Sequence, residues 1–147
     1  MRLVSIESDK TLEELEGEDW GEQRFPSYVV TTCVQMRRKP LRELSDEEIR
    51  LALGQQMGVR FLLPIALQRL QSDPLVRGDM YEGALLKNVL DVATPAVATE
   101  DCLADLDRMV ERFEHAAAEM DQVWREECLP AIASAIEQYQ TRRKRHE

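Results

Sequence analysis

The chain has 147 residues, with 28 acidic side chains against 19 basic ones and a formal net charge of −9. This excess of carboxylates argues against a nucleic-acid binder, because neutralising phosphates requires clustered lysine and arginine. No apolar stretch reaches the roughly 20 residues of a transmembrane helix, and residues 1–7 do not form a secretory signal, so we expect a cytosolic protein with no membrane partner. At this length about two thirds of the extended chain's surface can be buried, which predicts one domain over residues 1–147.

The first part of the chain carries two helix patterns. Thr11 and Glu14 have the spacing of a capping box, which predicts a short helix over 11–16. The segment 27–38 has apolar residues at helical spacing and is also predicted to be a helix. Its β-branched run at 29–32 would equally suit a strand.

Three further helices are predicted in the middle of the chain. An N-cap serine followed by three acidic residues predicts a helix over 45–57, with Gly58 as its C-terminal stop. The next helix, 61–70, has an apolar stripe wide enough for a buried central helix, and its Pro64 is tolerated only in the first turn. A shorter helix is predicted over 83–92.

The last third of the chain is predicted to form two long helices. The first, 99–129, begins with an acidic turn and has apolar residues at close to a 3.5-residue spacing. Pro130 must kink or interrupt it, because the proline ring clashes with the carbonyl group four residues earlier. A terminal helix follows over 131–143. The predicted fold is therefore all-α, a single-domain bundle of about six to seven helices with a long C-terminal helix pair.

The reactive side chains do not predict an enzyme, a metal centre or a cofactor site. His115 follows Glu111 and Glu114, but the paired Glu-x-x-His motif of a carboxylate-bridged metal centre is incomplete. The sequence contains no phosphate-binding loop and no nucleophile elbow, and its three widely spaced cysteines fit neither a disulfide framework nor a zinc site. The basic runs 37–39 and 142–145 end predicted helices, where basic residues are expected without nucleic acid.

The acidic side chains are concentrated in two clusters. Residues 7–22 contain eight carboxylates and one lysine, and residues 100–127 contain ten carboxylates and three arginines, so each segment has a local charge of −7. Solubility and helix N-terminal charge are one explanation, and a docking surface for a cationic protein is the functional one. Trp20, in the first cluster, is either an exposed anchor or a lid on the core. The predicted partner-binding residues are Glu13, Glu14, Glu18, Asp19, Trp20, Asp105, Glu111, Glu114, Glu119 and Asp121.

Several unusual strings occur in order between residues 11 and 90. They are Leu-Glu-Glu-Leu-Glu-Gly-Glu-Asp-Trp-Gly-Glu at 12–22, Arg-Arg-Lys-Pro-Leu at 37–41, Leu-Gly-Gln-Gln-Met-Gly at 53–58, Leu-Pro-Ile-Ala-Leu at 63–67, Asp-Pro-Leu at 73–75 and Gly-Asp-Met-Tyr at 78–81. In these strings the chain resembles CdiI-type immunity proteins of bacterial contact-dependent growth inhibition (CDI) systems.

The resemblance implies a small cytosolic antidote that binds the C-terminal toxin domain of a matching effector one-to-one, as a monomer. Such toxins are commonly nucleases with basic substrate clefts, which suits an acidic blocker. The helical region 99–145 lies beyond the resemblance, where relatives are expected to diverge, so the second acidic cluster is the preferred specificity surface. Gln55 and Gln56, inside the family-like string, could hydrogen-bond a partner, but near a helix end flanked by glycines they are expected to tie down backbone groups.

A second class of function is a helical adaptor or dimerising regulator. It would use the helix 99–129 as a seam against a partner helix or a second copy of the chain. A stable homodimer that buries this helix would favour the adaptor, whereas a monomer would favour the antidote.

Overall fold

The computed structural model describes residues 9–17, 27–78 and 80–145, and within these ranges the chain is helical and has no β-strand. The all-α prediction is confirmed. The eight α-helices are α1 (Leu12–Glu16), α2 (Tyr28–Met36), α3 (Asp46–Gly54), α4 (Val59–Ser72), α5 (Ala84–Val92), α6 (Glu100–Ala117), α7 (Gln122–Glu127) and α8 (Leu129–Arg145), with a short 3₁₀ helix, Leu41–Glu43, before α3.

Side-chain caps begin α1 and α3 at the positions that the sequence predicts. The Thr11 hydroxyl accepts a hydrogen bond from the Glu14 amide at 3.1 Å, and the Glu14 carboxylate accepts one from the Thr11 amide at 3.0 Å. Ser45 and Glu48 form the same reciprocal pair, at 3.0 and 2.9 Å. Each pair satisfies backbone amides that have no partner within the helix.

The segment 27–38 forms a helix, so the strand alternative is wrong. Ser27 caps α2 by accepting a hydrogen bond from the Val30 amide at 3.1 Å. Cys33 and Met36 are buried, whereas Val30 is exposed. The helical spacing of the buried residues therefore prevails over the local preference of the β-branched run.

The end of α3 differs from its prediction. The helix ends at Gly54, and Gln56 (φ 58°), not Gly58, takes the left-handed position that closes it. The Met57 amide donates to the Ala52 carbonyl at 2.8 Å, which is the six-to-one bond of a Schellman motif. Gly58 instead begins α4.

The side chains of Gln55 and Gln56 are both exposed, and neither forms a hydrogen bond with a described residue. The expectation that they tie down backbone groups is therefore wrong in the described part of the chain. Gln56 contributes to the end of α3 through its left-handed backbone conformation, which costs free energy in any residue other than glycine.

We expect Gln56→Gly to stabilise the protein. Glycine adopts a positive φ without the strain of a side chain, and this gain of about 1 kcal/mol exceeds glycine's extra entropy in the unfolded chain. Urea denaturation should show an increase of about 0.5 kcal/mol in the free energy of unfolding. The control Gln55→Gly, at φ −92°, should lower it. A destabilised Gln56→Gly variant would show that position 56 is not strained.

Helix α4 begins at Val59, before the predicted start, so Pro64 lies in its second turn. The expectation that this proline must occupy the first turn is wrong. Pro64 lacks the amide that would bond to the Arg60 carbonyl, but Arg60 is exposed and water can reach that group. The predicted burial of the helix is confirmed, since its core residues are Leu62, Leu63, Ile65, Ala66, Leu67 and Leu70.

The single helix predicted over 99–129 is wrong, because the chain turns at 118–121 between α6 and α7. Asp121 caps α7 by accepting a hydrogen bond from the Trp124 amide at 2.9 Å. The predicted interruption at Pro130 is confirmed, since α7 ends before it and Pro130 lies in the first turn of α8. With this extra break, the described residues form eight α-helices where six or seven were predicted.

The apolar stripe of α6 is buried in the protein's own core. Trp124 of α7 covers its end, with ring centroids 6.1 Å from Phe113 and an indole N–H that donates to the Glu82 carbonyl at 3.0 Å. The adaptor hypothesis requires a continuous helix with an exposed apolar seam, and the described residues provide neither. The stripe residues, each at most 5% exposed, are Leu103, Leu106, Met109, Val110, Phe113 and Ala117.

Helix α5 packs against α3, α4 and α8 at the centre of the fold. A polar cluster that we call the Asp107 clamp joins the C-terminus of α8 to the N-terminal half of α6. In it Arg143 donates to both Glu100 carboxylate oxygens at 2.9 Å and to Asp107 at 2.7 Å, and the Tyr139 hydroxyl donates to Asp107 at 2.7 Å. Hydrogen bonds from Arg143 lower the pKa of Glu100, and burial together with the Asp107 bond raises the pKa of Tyr139.

Two of the four residues in the basic run at 142–145 form contacts inside the protein. Arg142 caps the C-terminus of α5 by donating hydrogen bonds to the carbonyl groups of Leu90 and Ala93. Arg143 belongs to the Asp107 clamp, which together with Arg142 fixes the direction of α8.

Candidate partner-binding surface

The first acidic cluster is largely paired within the protein. Its described members hold α1 against the basic segment that follows α2, so their charge is neutralised locally. Glu14 serves the capping box of α1. The ion pairs are Asp9 with Arg42, Glu13 with Arg38 (3.2 Å) and Glu16 with the buried Arg37.

Three of the predicted partner-binding residues, Glu18, Asp19 and Trp20, lie outside the described residues. The two interpretations of Trp20, an exposed anchor or a lid on the core, both stay predictions.

The carboxylates of the second acidic cluster differ in whether they are paired. In the first half of α6, Glu100 and Asp107 are held by the Asp107 clamp, and Asp105 forms an ion pair with Arg108. In the second half, the exposed carboxylates of Glu111 and Glu114 bond to no other described side chain. Unpaired charge is therefore concentrated where α6 approaches α7.

This unpaired charge continues beyond α6. The residues Glu119, Glu127 and Glu137 are likewise exposed and bond through their carboxylates to no described residue, and exposed Asp121 caps α7. We call the following set the acidic face: Glu111, Glu114, Glu119, Asp121, Glu127 and Glu137.

The acidic face also acts on the nearby thiol. Burial raises the pKa of Cys128, and the carboxylates of Glu82, Glu127 and Asp121 raise it further. Each of these carboxylates disfavours the negatively charged thiolate form of Cys128. A local negative potential of this kind attracts a cationic partner.

A groove of about 460 Å³ runs between α6 and α8 beside the acidic face. We call it the α6–α8 groove. Its floor is apolar, its walls carry Glu114 and Glu137, and α7 contributes Arg125. The apolar lining residues are Phe113, Ala117, Ala118, Leu129, Ala133 and Ile136.

A larger cleft, of about 970 Å³, lies between α2, the start of α3 and the loop after α4. Its charged groups are mostly paired with each other: Asp46 with Arg69 at 2.7 Å, and Glu47 with Arg50 at 2.6 Å. It therefore offers less free charge to a partner than the acidic face does.

Sequence reasoning found Glu111, Glu114, Glu119 and Asp121 but missed two members of the acidic face, Glu127 and Glu137. It also missed Val123, a hydrophobic side chain of α7 that is 69% exposed. Glu137 falls outside both charge clusters and joins the face only because α8 packs beside α6. No spacing within the sequence signals that neighbourhood.

Among the described residues, no group of three or more His, Cys, Asp and Glu side chains is arranged to hold a metal ion. Cys33, Cys102 and Cys128 are free thiols. None of the described helices combines the length and the apolar character that crossing a bilayer requires.

In a comparison with known families, a family described as CDI immunity proteins matches residues 14–105, which is more than half of the chain. The match includes α2 to α5 and ends within α6, so the acidic face lies beyond it. Neither curated proteins nor solved structures give a significant match. The chain belongs to the family of CDI immunity proteins.

Proposed function

We propose that this immunity protein neutralises the toxin domain of its own CDI system through its acidic face. The observation that carries the proposal is the contrast between the two acidic clusters. The described carboxylates of the first are engaged in ion pairs and a helix cap, whereas Glu111, Glu114 and Glu119 are exposed and form no ion pair with a described residue. Free charge is available to a partner only where it is not already neutralised.

The proposed toxin is a nuclease, because a cleft that binds nucleic acid is lined with cationic side chains. Carboxylates of the acidic face would occupy positions that otherwise hold phosphates, and the toxin would be blocked by occlusion. An interface of about 800 Å² per partner is typical of tight inhibitor complexes. That is about a tenth of this chain's 8566 Å² of accessible surface.

The proposed complex forms in the cytoplasm and contains one copy of each protein. The immunity protein contributes binding rather than catalysis. Of the predicted contact residues, the proposal depends on Glu111, Glu114, Glu119 and Asp121. Glu13 and Glu14 provide the comparison, because their carboxylates already have partners within the chain.

Co-expression with the toxin domain encoded beside this gene tests the proposal. Cells should survive induction of that toxin when this chain is present and should die when an unrelated immunity protein replaces it. In vitro, nuclease activity should fall linearly to an end point at one immunity protein per toxin. Failure to protect cells would contradict the proposed function, and protection without any toxin nuclease activity would contradict the nuclease assignment.

A further inference from the structure

The α6–α8 groove lies between two helices that a polar cluster joins near one end. The Asp107 clamp connects the start of α6 to the end of α8. Near the C-terminus of α6 and the N-terminus of α8, Trp124 of α7 packs against Phe113. Arg125 of α7 and Leu129 of α8 line this part of the groove.

The lining of the groove includes small apolar side chains at exposed positions. Ala118 and Ala133 are exposed, and Leu129 is half-buried. Alanine side chains allow the backbone of a partner to approach closely, whereas longer side chains would close the groove. Val123, at 69% exposure on neighbouring α7, extends the apolar surface.

The charges around the groove indicate the chemistry of its occupant. Glu114 stands on the α6 wall and Glu137 on the α8 wall, both exposed and without a described partner. Glu111 continues the α6 wall by one turn, since it precedes Glu114 by three residues. The groove has an apolar lining and a carboxylate on each wall. Its complement is a segment of a partner that carries an apolar stripe flanked by lysine or arginine.

We propose that the α6–α8 groove receives an amphipathic basic helix of the toxin domain, an inference that rests on the proposed function. The helix lays its apolar stripe on Ala118, Leu129 and Ala133 and places basic side chains against Glu114 and Glu137. Arg125, at the α7 end of the groove, faces the carbonyl groups at the C-terminus of the docked helix, where a cation is favourable. A second copy of this chain suits the groove poorly, since each copy has a net charge of −9.

Filling the groove tests this inference. In Ala133→Phe, a phenyl ring replaces a methyl group on the groove wall; in the matched control Ala131→Phe, the same ring is added to the same helix outside the groove. Both positions are exposed, so urea denaturation should give both variants about the stability of the original chain. Affinity for the toxin domain encoded beside this gene should fall about 30-fold or more in Ala133→Phe and less than about threefold in Ala131→Phe.

A charge variant provides a second readout. Glu137→Lys should weaken toxin binding about tenfold at low salt and should bind with a smaller dependence on ionic strength than the original chain. If the original chain binds the toxin and both Ala133→Phe and Glu137→Lys bind it with unchanged affinity, the toxin helix does not occupy the groove. That result would leave the proposed function standing. Absence of binding by the original chain would overturn both. A homodimer that Ala133→Phe converts to a monomer would assign the groove to a second copy instead.

Discussion

Gly83→Ala is expected to lower the free energy of unfolding by about 2 to 4 kcal/mol. Gly83 precedes α5 with φ +92°, a conformation that side chains rarely adopt. A Cβ atom there would lie 2.5 Å from Ile132 Cδ1 and 3.2 Å from Phe113 Cε1. Both neighbours are fully buried, so they can yield only by disturbing the packing of α6 and α8 on α5.

The matched control for this variant is Gly17→Ala. Gly17 also has a positive φ, +70°, but a Cβ atom there meets nothing within 4 Å. It should therefore cost only the backbone strain, about 1 kcal/mol. Urea denaturation of the two variants separates strain from steric overlap. Equal losses of stability would contradict the close packing of α5, α6 and α8 around position 83.

Neutralising three residues of the acidic face should slow toxin association about 30-fold at low salt. The variant is Glu111→Gln combined with Glu114→Gln and Glu119→Gln. Its side chains are exposed and unpaired, so stability should change by less than about 0.5 kcal/mol per site. The difference from the original chain should shrink as salt is added, because screening weakens long-range attraction. Stopped-flow kinetics at several ionic strengths measures both effects.

A control with the same net charge distinguishes local from overall charge. The control variant combines Glu13→Gln, Glu14→Gln and Glu43→Gln. Like the first triple variant, it changes the net charge of the chain from −9 to −6. Glutamine preserves the capping box at position 14 and still accepts a hydrogen bond from Arg38 at position 13. This control should slow association less than about threefold. Equal effects of the two triple variants would show that binding responds only to net charge.

The starts of α1 and α3 were predictable from the sequence because their determinants are local. Thr11 with Glu14 and Ser45 with Glu48 satisfy amides within the first turn, and no other part of the chain is needed. Helix ends were less predictable. Gln56 takes a left-handed conformation although glycines stand nearby at 54 and 58, because the register of α3 on the core fixes where that helix ends.

The break between α6 and α7 was not predictable, because tertiary contacts decide it. Asp121 is compatible with a continuous helix or with a cap, and the cap prevails because Trp124 bonds to Glu82 and packs against Phe113. The candidate site was predictable in the same partial way. Sequence identified the carboxylates of α6, but local spacing could not reveal that Glu13 is already paired with Arg38, twenty-five residues away.

The most direct test of the account is hydrogen exchange of the immunity protein with and without the toxin domain encoded beside it. Bound toxin should slow amide exchange across the acidic face, over residues 109–140, and most clearly in α7, whose side chains other than Trp124 are exposed. Exchange over 9–17 and 37–48 should change little. Slowed exchange confined to those N-terminal segments, with α7 unaffected, would contradict the assignment of toxin binding to the acidic face.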